Sequence, residues 1–200
     1  MESTINLLLN GNSRMLVIEL SVLVEELISQ TLGCIIDIDW EKSKSLGFSS
    51  DSLSFNHKAT LLSDKKNIPK DIKDKMETFM YIRNKFAHVN SINSFENLFL
   101  YTKESKYKNN LNKWYPESNS FSTDTESEHR FKFNNLYNDI FNFLFQLTIQ
   151  YSIQNTREKQ KIRLDDKLIM ILKNKNLDAP FTIEDRNKSV DEAIKKIEDD

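Results

Sequence analysis

The sequence predicts an all-α chain, and two observations carry that reading. Glycine and proline number only three each in 200 residues, so breakers are few for the length. Apolar residues recur at three- and four-residue steps through three long segments, which is the period of a helix face. The length favours one domain. A chain of this size typically buries around 70% of the surface its unfolded form exposes, so it needs no metal or disulfide to hold together.

Taken in order, Asn12-Ser13 can cap a first helix from about Arg14 to Ile36, with Leu16, Leu20, Leu23 and Leu27 on its core face. Glu19 and Glu26 lie seven residues apart and so on nearly the same side, either as a solvated edge or as partners for a buried arginine. Cys34 is the single cysteine and stands in an apolar run, where a free thiol fills core space. Asp37 to Ser54, with Gly47 and many serines, reads as a loop leading to a short helix near Phe55 to Ser63. Pro69 then opens a third helix, from about Lys70 to Val89, because its fixed φ suits a first turn that needs no N–H.

Beyond it, residues 91–130 are polar, rich in Asn, Ser, Lys and Glu, with Trp114, Tyr115 and Pro116 in the middle. They read as a long insertion between the third and fourth long helices, with local structure only around Phe95 to Tyr101. The strongest helix follows, from about Phe131 to Asn155, with the stripe Phe133, Tyr137, Ile140, Leu144, Leu147 and Tyr151. Phe141, Phe143 and Phe145 widen the apolar arc beyond one face, which marks a helix central to its domain or shared with a second subunit. Residues 156–200 read as a C-terminal helical extension. It is basic around Leu164, Leu168, Ile171 and Leu172, and acidic from Asp178, with Ser189 and Glu192 at the spacing of a capping box.

Composition narrows the functional classes. A formal net charge of −2 argues against a protein that coats nucleic acid nonspecifically, since that binding needs many Lys and Arg contacts to phosphate. Met1 to Thr4 hold an acid and no basic cluster before the short apolar stretch Ile5 to Leu9, so no export signal is expected and a cytoplasmic location is. Glu19, Glu25 and Glu26 interrupt the longest apolar region, which excludes it as a membrane span. No Cys-x-x-Cys, His-x-x-x-His or glycine-rich phosphate loop occurs, and His57 and His129 are isolated, so neither a metal nor a cofactor is expected.

One segment carries chemistry, Ile82-Arg83-Asn84-Lys85-Phe86-Ala87-His88. Arg83 supplies a planar, permanently charged fork suited to phosphate oxygens. His88 can take or give a proton near neutral pH, and Asn84 can orient either an imidazole or a phosphate. Lys85 adds positive potential for a phosphate contact. At about 100° per residue, Asn84 and His88 are neighbours one turn apart, while Arg83 falls between Phe79 and Phe86 in the apolar stripe with Ile72 and Met76. The arginine is therefore either paired with a carboxylate such as Glu26 or Glu19, or bent round to a site completed across a subunit interface.

At these residues the chain resembles the HEPN superfamily, through Arg83, the polar Asn84 directly after it, and His88 closing an arginine, four residues, histidine spacing. The fuller string resembles the mannitol operon repressor-like branch, as does Leu53-Ser54-Phe55-Asn56-His57-Lys58 upstream. The likeness covers roughly Asn10 to Asn155. It implies a four-to-five-helix up-and-down bundle that forms a homodimer. The implied activity is metal-independent RNA cleavage of the toxin or antiviral-defence type, with His88 assisting proton transfer, Arg83 stabilising the phosphorane charge and Asn84 orienting one or the other. Members regulated by nucleotide transfer to a tyrosine carry it two residues past the histidine, where Asn90 stands here. Two other readings remain open. One is a noncatalytic regulatory or binding module, and the other is an accessory subunit whose residues 156–200 dock a neutralising or effector protein.

Overall fold

The protein's structure, a computed structural model, describes residues 12–101, 105–116 and 125–174. Among them there are six helices and no strand: α1 Ser13–Ile36, α2 Phe55–Ser63, α3 Lys70–His88, α4 Phe95–Tyr101, α5 Ser105–Trp114 and α6 Thr125–Asn174. The chain divides into two compact units, Met1–Asn155 and Thr156–Asp200. Among the described residues no helix is long and apolar enough to cross a membrane.

Local chemistry sets the ends of the first three helices. The Asn12 side chain accepts the Arg14 N–H at 2.8 Å and caps α1. At the other end Asp37 takes a left-handed conformation, φ 54°, and Ile38 N–H closes on the Gly33 carbonyl at 3.0 Å. Gly33 has no room for a side chain, because a Cβ there would stand 2.8 Å from Trp40 Cβ. Ser54 caps α2 by accepting the His57 N–H. Pro69 precedes α3, and the helix ends where Val89 turns to extended backbone.

The core of the first unit is built on α3. Ile72, Met76, Phe79, Ile82 and Phe86, spaced four, three, three and four residues apart, are all buried. Phe79 stacks on Phe133 of α6 at 5.1 Å, and Phe95 of α4 meets Phe86 at 5.1 Å and Phe133 at 5.6 Å. Burying each such ring contributes roughly 1.5–3 kcal/mol, so this cluster joins α3, α4 and α6. From α1, Leu16, Val17, Leu20, Val24, Leu27 and Ile28 complete the core. Leu23, expected on that face, is 44% exposed, and Val24 takes its place one step round the helix. Thr31 and Thr148 pair their hydroxyls at 2.7 Å between α1 and α6, each also bonded to a carbonyl one turn back, Leu27 and Leu144.

Two expectations for the second half are corrected. Residues 91–130 hold more than the turn of helix at Phe95–Tyr101: α5 is a second helix, anchored by the fully buried Leu111 and flanked by Tyr107 and Trp114. The final helix starts at Thr125 rather than Phe131, because Glu126 is tied to other elements there. Its carboxylate accepts the N–H groups of Phe95 at 2.9 Å and Glu96 at 3.0 Å, and the Ser13 hydroxyl. His129 and Lys132 in the same turns are buried despite their polarity.

Phe133, Ile140, Leu144 and Leu147 of the predicted stripe are buried and Tyr137 and Tyr151 half-buried, while Phe145 points outward at 51% exposure. Cys34 is half-buried rather than a core filler, in the wall of a groove of about 240 Å³ shared with Gln30, Phe145, Thr148 and Ile149. Burial, and then Asp37, pushes its thiol pKa up. The Ser189–Glu192 capping box and the acidic stretch from Asp178 lie outside the described residues.

Candidate functional site

The segment Ile82 to His88 forms the last two turns of α3, held from below by the buried Ile82 and Phe86. Its end is also held from α1. Arg14 donates from Nη2 to the carbonyls of Val89 at 2.6 Å, Asn90 at 3.2 Å and Ile92 at 2.8 Å, and from Nε to Ile92 at 3.2 Å. One guanidinium thus fixes the chain immediately after His88. Neither periodicity nor motif spacing marks Arg14 for this role.

Arg83 leaves the core side of α3, as its angle predicts, but it does not meet Glu19 or Glu26. Both of those carboxylates are exposed, and among the described residues Arg83 is in no ion pair. The acid of α1 that pairs with a buried cation is Glu25, whose Oε1 lies 3.4 Å from Nζ of Lys58 on α2. The carboxylate-paired form of the structural reading is therefore overturned.

Instead the Arg83 guanidinium lies over the Phe55 ring, 5.5 Å from its centroid, a cation–π placement. Its Nη1 donates to Asn84 Oδ1 at 3.2 Å, and its buried Nε has no hydrogen-bond partner. The guanidinium thus bridges Phe55 of α2 and Asn84 of its own helix.

Asn84 extends the chain of contacts by donating from Nδ2 to Asn56 Oδ1 at 3.2 Å. Asn56 and Phe55 open α2, just after the Ser54 cap, whose hydroxyl is 3.1 Å from His57 Nδ1. The two strings that carry the family resemblance thus meet in space at Arg83–Asn84 and Phe55–Asn56. Their meeting is a tertiary fact that no local spacing announces.

His88 is the final residue of α3 and is exposed, one turn beyond Asn84, and its ring makes no hydrogen bond among the described residues. Lys85 is half-buried with Nζ 5.2 Å from the centroid of Tyr81. Tyr81 stacks on Tyr107 of α5 at 3.8 Å with an 18° interplanar angle. Arg83 and Asn84 are therefore joined to Phe55 and Asn56 of α2, Lys85 lies separately against Tyr81, and His88 is exposed at the end of the helix. Among the described residues no three His, Cys, Asp or Glu side chains are grouped as metal ligands.

Chemically, the arrangement offers a cation with an unfilled N–H, an amide that can orient a neighbour, and an accessible imidazole. No protein-family model, no curated protein and no solved structure matches the chain.

Proposed function

We propose that this chain is a metal-independent endoribonuclease of the HEPN type. On this reading it is a homodimeric, cytoplasmic bundle protein of the toxin or antiviral-defence kind that leaves 2′,3′-cyclic phosphate ends. The observation that carries the reading is Arg83: a permanent charge on a half-buried side chain, with no carboxylate partner among the described residues. A guanidinium without a counter-charge favours an anion, and a phosphate oxygen is an acceptor that its fork fits well.

In the reaction, a neutral His88 takes the proton of the ribose 2′-hydroxyl as that oxygen bonds to the adjacent phosphorus. The bond from phosphorus to the 5′-oxygen breaks, and the departing oxygen is protonated by the imidazolium of the second subunit's motif. The products are a 2′,3′-cyclic phosphate and a 5′-hydroxyl. Arg83 stabilises charge on the phosphorane oxygens, and Asn84, held by Asn56, keeps the fork and the phosphate in register. Lys85 adds a phosphate contact. DNA lacks the attacking hydroxyl and is spared.

The purified protein should cut single-stranded RNA in EDTA and leave cyclic phosphate ends, and Arg83→Ala and His88→Ala should each slow cutting by about 10²-fold or more without unfolding the chain. Cutting at the wild-type rate in both variants overturns the proposal.

A second reading has its own support in the Arg83–Phe55 contact. There the motif braces a noncatalytic regulatory or accessory module, His88 favours the negative end of its helix, and residues 156–200 bind a neutralising or effector protein. This reading expects Arg83→Ala to lower the melting temperature with no RNA cleavage in the wild type, and truncation after Asn155 to abolish partner recovery.

A further inference from the structure

From Asn134 to Asn155, α6 is almost without charge. Only Asp139 is charged there, where a chain 29% charged overall would place several such residues, and Asp139 is held by Lys75 at 2.6 Å and by Tyr115 at 2.7 Å. Asn138, Asn142, Phe145, Gln146, Ile149 and Ile153 are exposed and share an arc of roughly 100° of the helix. A solvated helix face ordinarily carries charged side chains, yet Phe145, Ile149 and Ile153 are apolar and each close to half exposed.

Helix α1 completes this face. Its Gln30 and Cys34 join Phe145, Thr148, Ile149 and Ile153 in lining the groove of about 240 Å³, and the patch stops at the exposed Glu26, one turn before Gln30. The half-exposed Phe145 ring stacks on Phe141, one turn back, at 6.4 Å with an 8° interplanar angle, which fixes its direction. Cys34 stands about 30 Å along α1 from Arg14, the residue that clamps the chain after His88.

We propose that this face of α1 and α6 seats the same face of a second copy of the chain, each Phe145 ring entering the other copy's groove. Near a twofold axis every residue meets its own copy, so a charge there would meet a like charge. An amide both donates and accepts and is its own complement, as is a ring beside a groove. A different protein is ordinarily matched through opposite charges, which this face does not offer. From Asn138 to Ile153 is about 23 Å, and α6 with α1 beside it is about 20 Å wide. Two such outlines cover roughly 900 Å², close to the ~1,000 Å² a specific interface needs and below the standard ~1,600 Å², so the pairing is reversible. It lies at the far end of α1 from the motif and is independent of the ribonuclease reading.

Sedimentation equilibrium of the full chain, from about 1 μM to about 1 mM, reads the pairing. At the highest concentration the wild type should have twice the mass of Phe145→Glu, and Phe145→Lys should match Phe145→Glu. Mixing these two variants should restore the wild-type mass, because glutamate on one copy then faces lysine on the other. Leu61→Glu, on an equally exposed apolar residue of α2, should keep the wild-type mass. Circular dichroism checks that each variant folds. Cys34, the single cysteine, gives a reading that needs no substitution: its alkylation by iodoacetamide should slow as the wild-type mass rises, because the second copy covers the groove it lines.

Equal masses for the wild type and a folded Phe145→Glu overturn the pairing, as does a wild type that stays at 23.5 kDa throughout, which leaves the face to a different protein. So does a mixture of the Glu and Lys variants that fails to recover, a loss of mass in Leu61→Glu equal to that in Phe145→Glu, or Cys34 alkylation indifferent to concentration. RNA cleavage enters none of these readings, so the pairing and the ribonuclease reading stand or fall separately.

Discussion

Arg14 Nη2 donates to the Val89 carbonyl at 2.6 Å, joining the first turn of α1 to the first residue beyond His88. Asn90 and Ile92 carbonyls share the same guanidinium, so three acceptors lose their partner together if it goes. Arg14→Met keeps the length of the side chain and removes the donors. Since hydrogen bonds to charged groups are worth about 1.5–3 kcal/mol, the variant should unfold at a lower urea concentration by an amount equivalent to about 2–3 kcal/mol. Amide exchange at Asn90 and Ile92 should quicken before that of the Phe79–Phe86 core. Unchanged exchange at those two amides would count against the clamp.

Arg83→Lys separates charge from shape. Lysine keeps the positive charge but loses the planar fork and the Nη1 bond to Asn84. The variant is expected to fold with near wild-type melting temperature and to lose most RNA cleavage. His88→Ala, on an exposed side chain, should leave stability unchanged and slow cleavage by about 10²–10⁴-fold, the usual worth of general acid–base help. Single-turnover rates on a defined oligoribonucleotide check both.

His129 predicts a pH dependence of stability. It is 3% exposed, edge-on to Phe99 at 4.9 Å, with Nδ1 unpartnered. Burial first, and then Lys108 and Lys132, hold its pKa below the ordinary 6.5, with Glu128 and Glu126 pulling the other way. The ring is therefore neutral in the fold but protonates in the unfolded chain, so its contribution is full above pH 6.5 and is lost as pH falls from there through the depressed folded value. His129→Phe, which keeps the aromatic contact, should flatten the denaturation midpoint between pH 6.5 and the range where carboxylates titrate. Parallel curves for variant and wild type over that interval would contradict the assignment.

Gly33→Ala tests the end of α1. The added Cβ would stand 2.8 Å from Trp40 Cβ and 3.0 Å from the Ile38 carbonyl. Overpacking of this kind costs about 1–3 kcal/mol, more than alanine's better helix propensity of ~1 kcal/mol returns. A lowered melting temperature with unchanged helix content is the expected outcome of thermal denaturation.

The first three helices were legible because their ends carry their own chemistry: Asn12 and Ser54 as caps, Pro69 ahead of a first turn, and buried residues at regular spacing on α3. Residues 91–130 were not. There, among the described side chains of α5 only Leu111 is fully in the core, set among lysines and asparagines, and the opening turns of α6 bury His129 and Lys132, whose polarity hides them from any hydropathy pattern. At the site, the direction of Arg83 followed from helical angle alone. Its partners did not, because Phe55, Asn56 and Arg14 arrive from other helices, and contacts across about thirty to eighty positions leave no local period to read.

Three hydrogen bonds link Thr31 and Thr148 to each other and to the carbonyls of Leu27 and Leu144, yet two hydroxyls own only two protons. Only two of the three contacts can hold a proton at once, and the protons can rearrange among them without any atom of the backbone moving. Sliding α1 past α6 would part the two hydroxyls while each kept the carbonyl of its own helix, so the pair marks this alignment by about one neutral hydrogen bond, roughly 0.5–1.5 kcal/mol, a mark that a wholly greasy seam lacks.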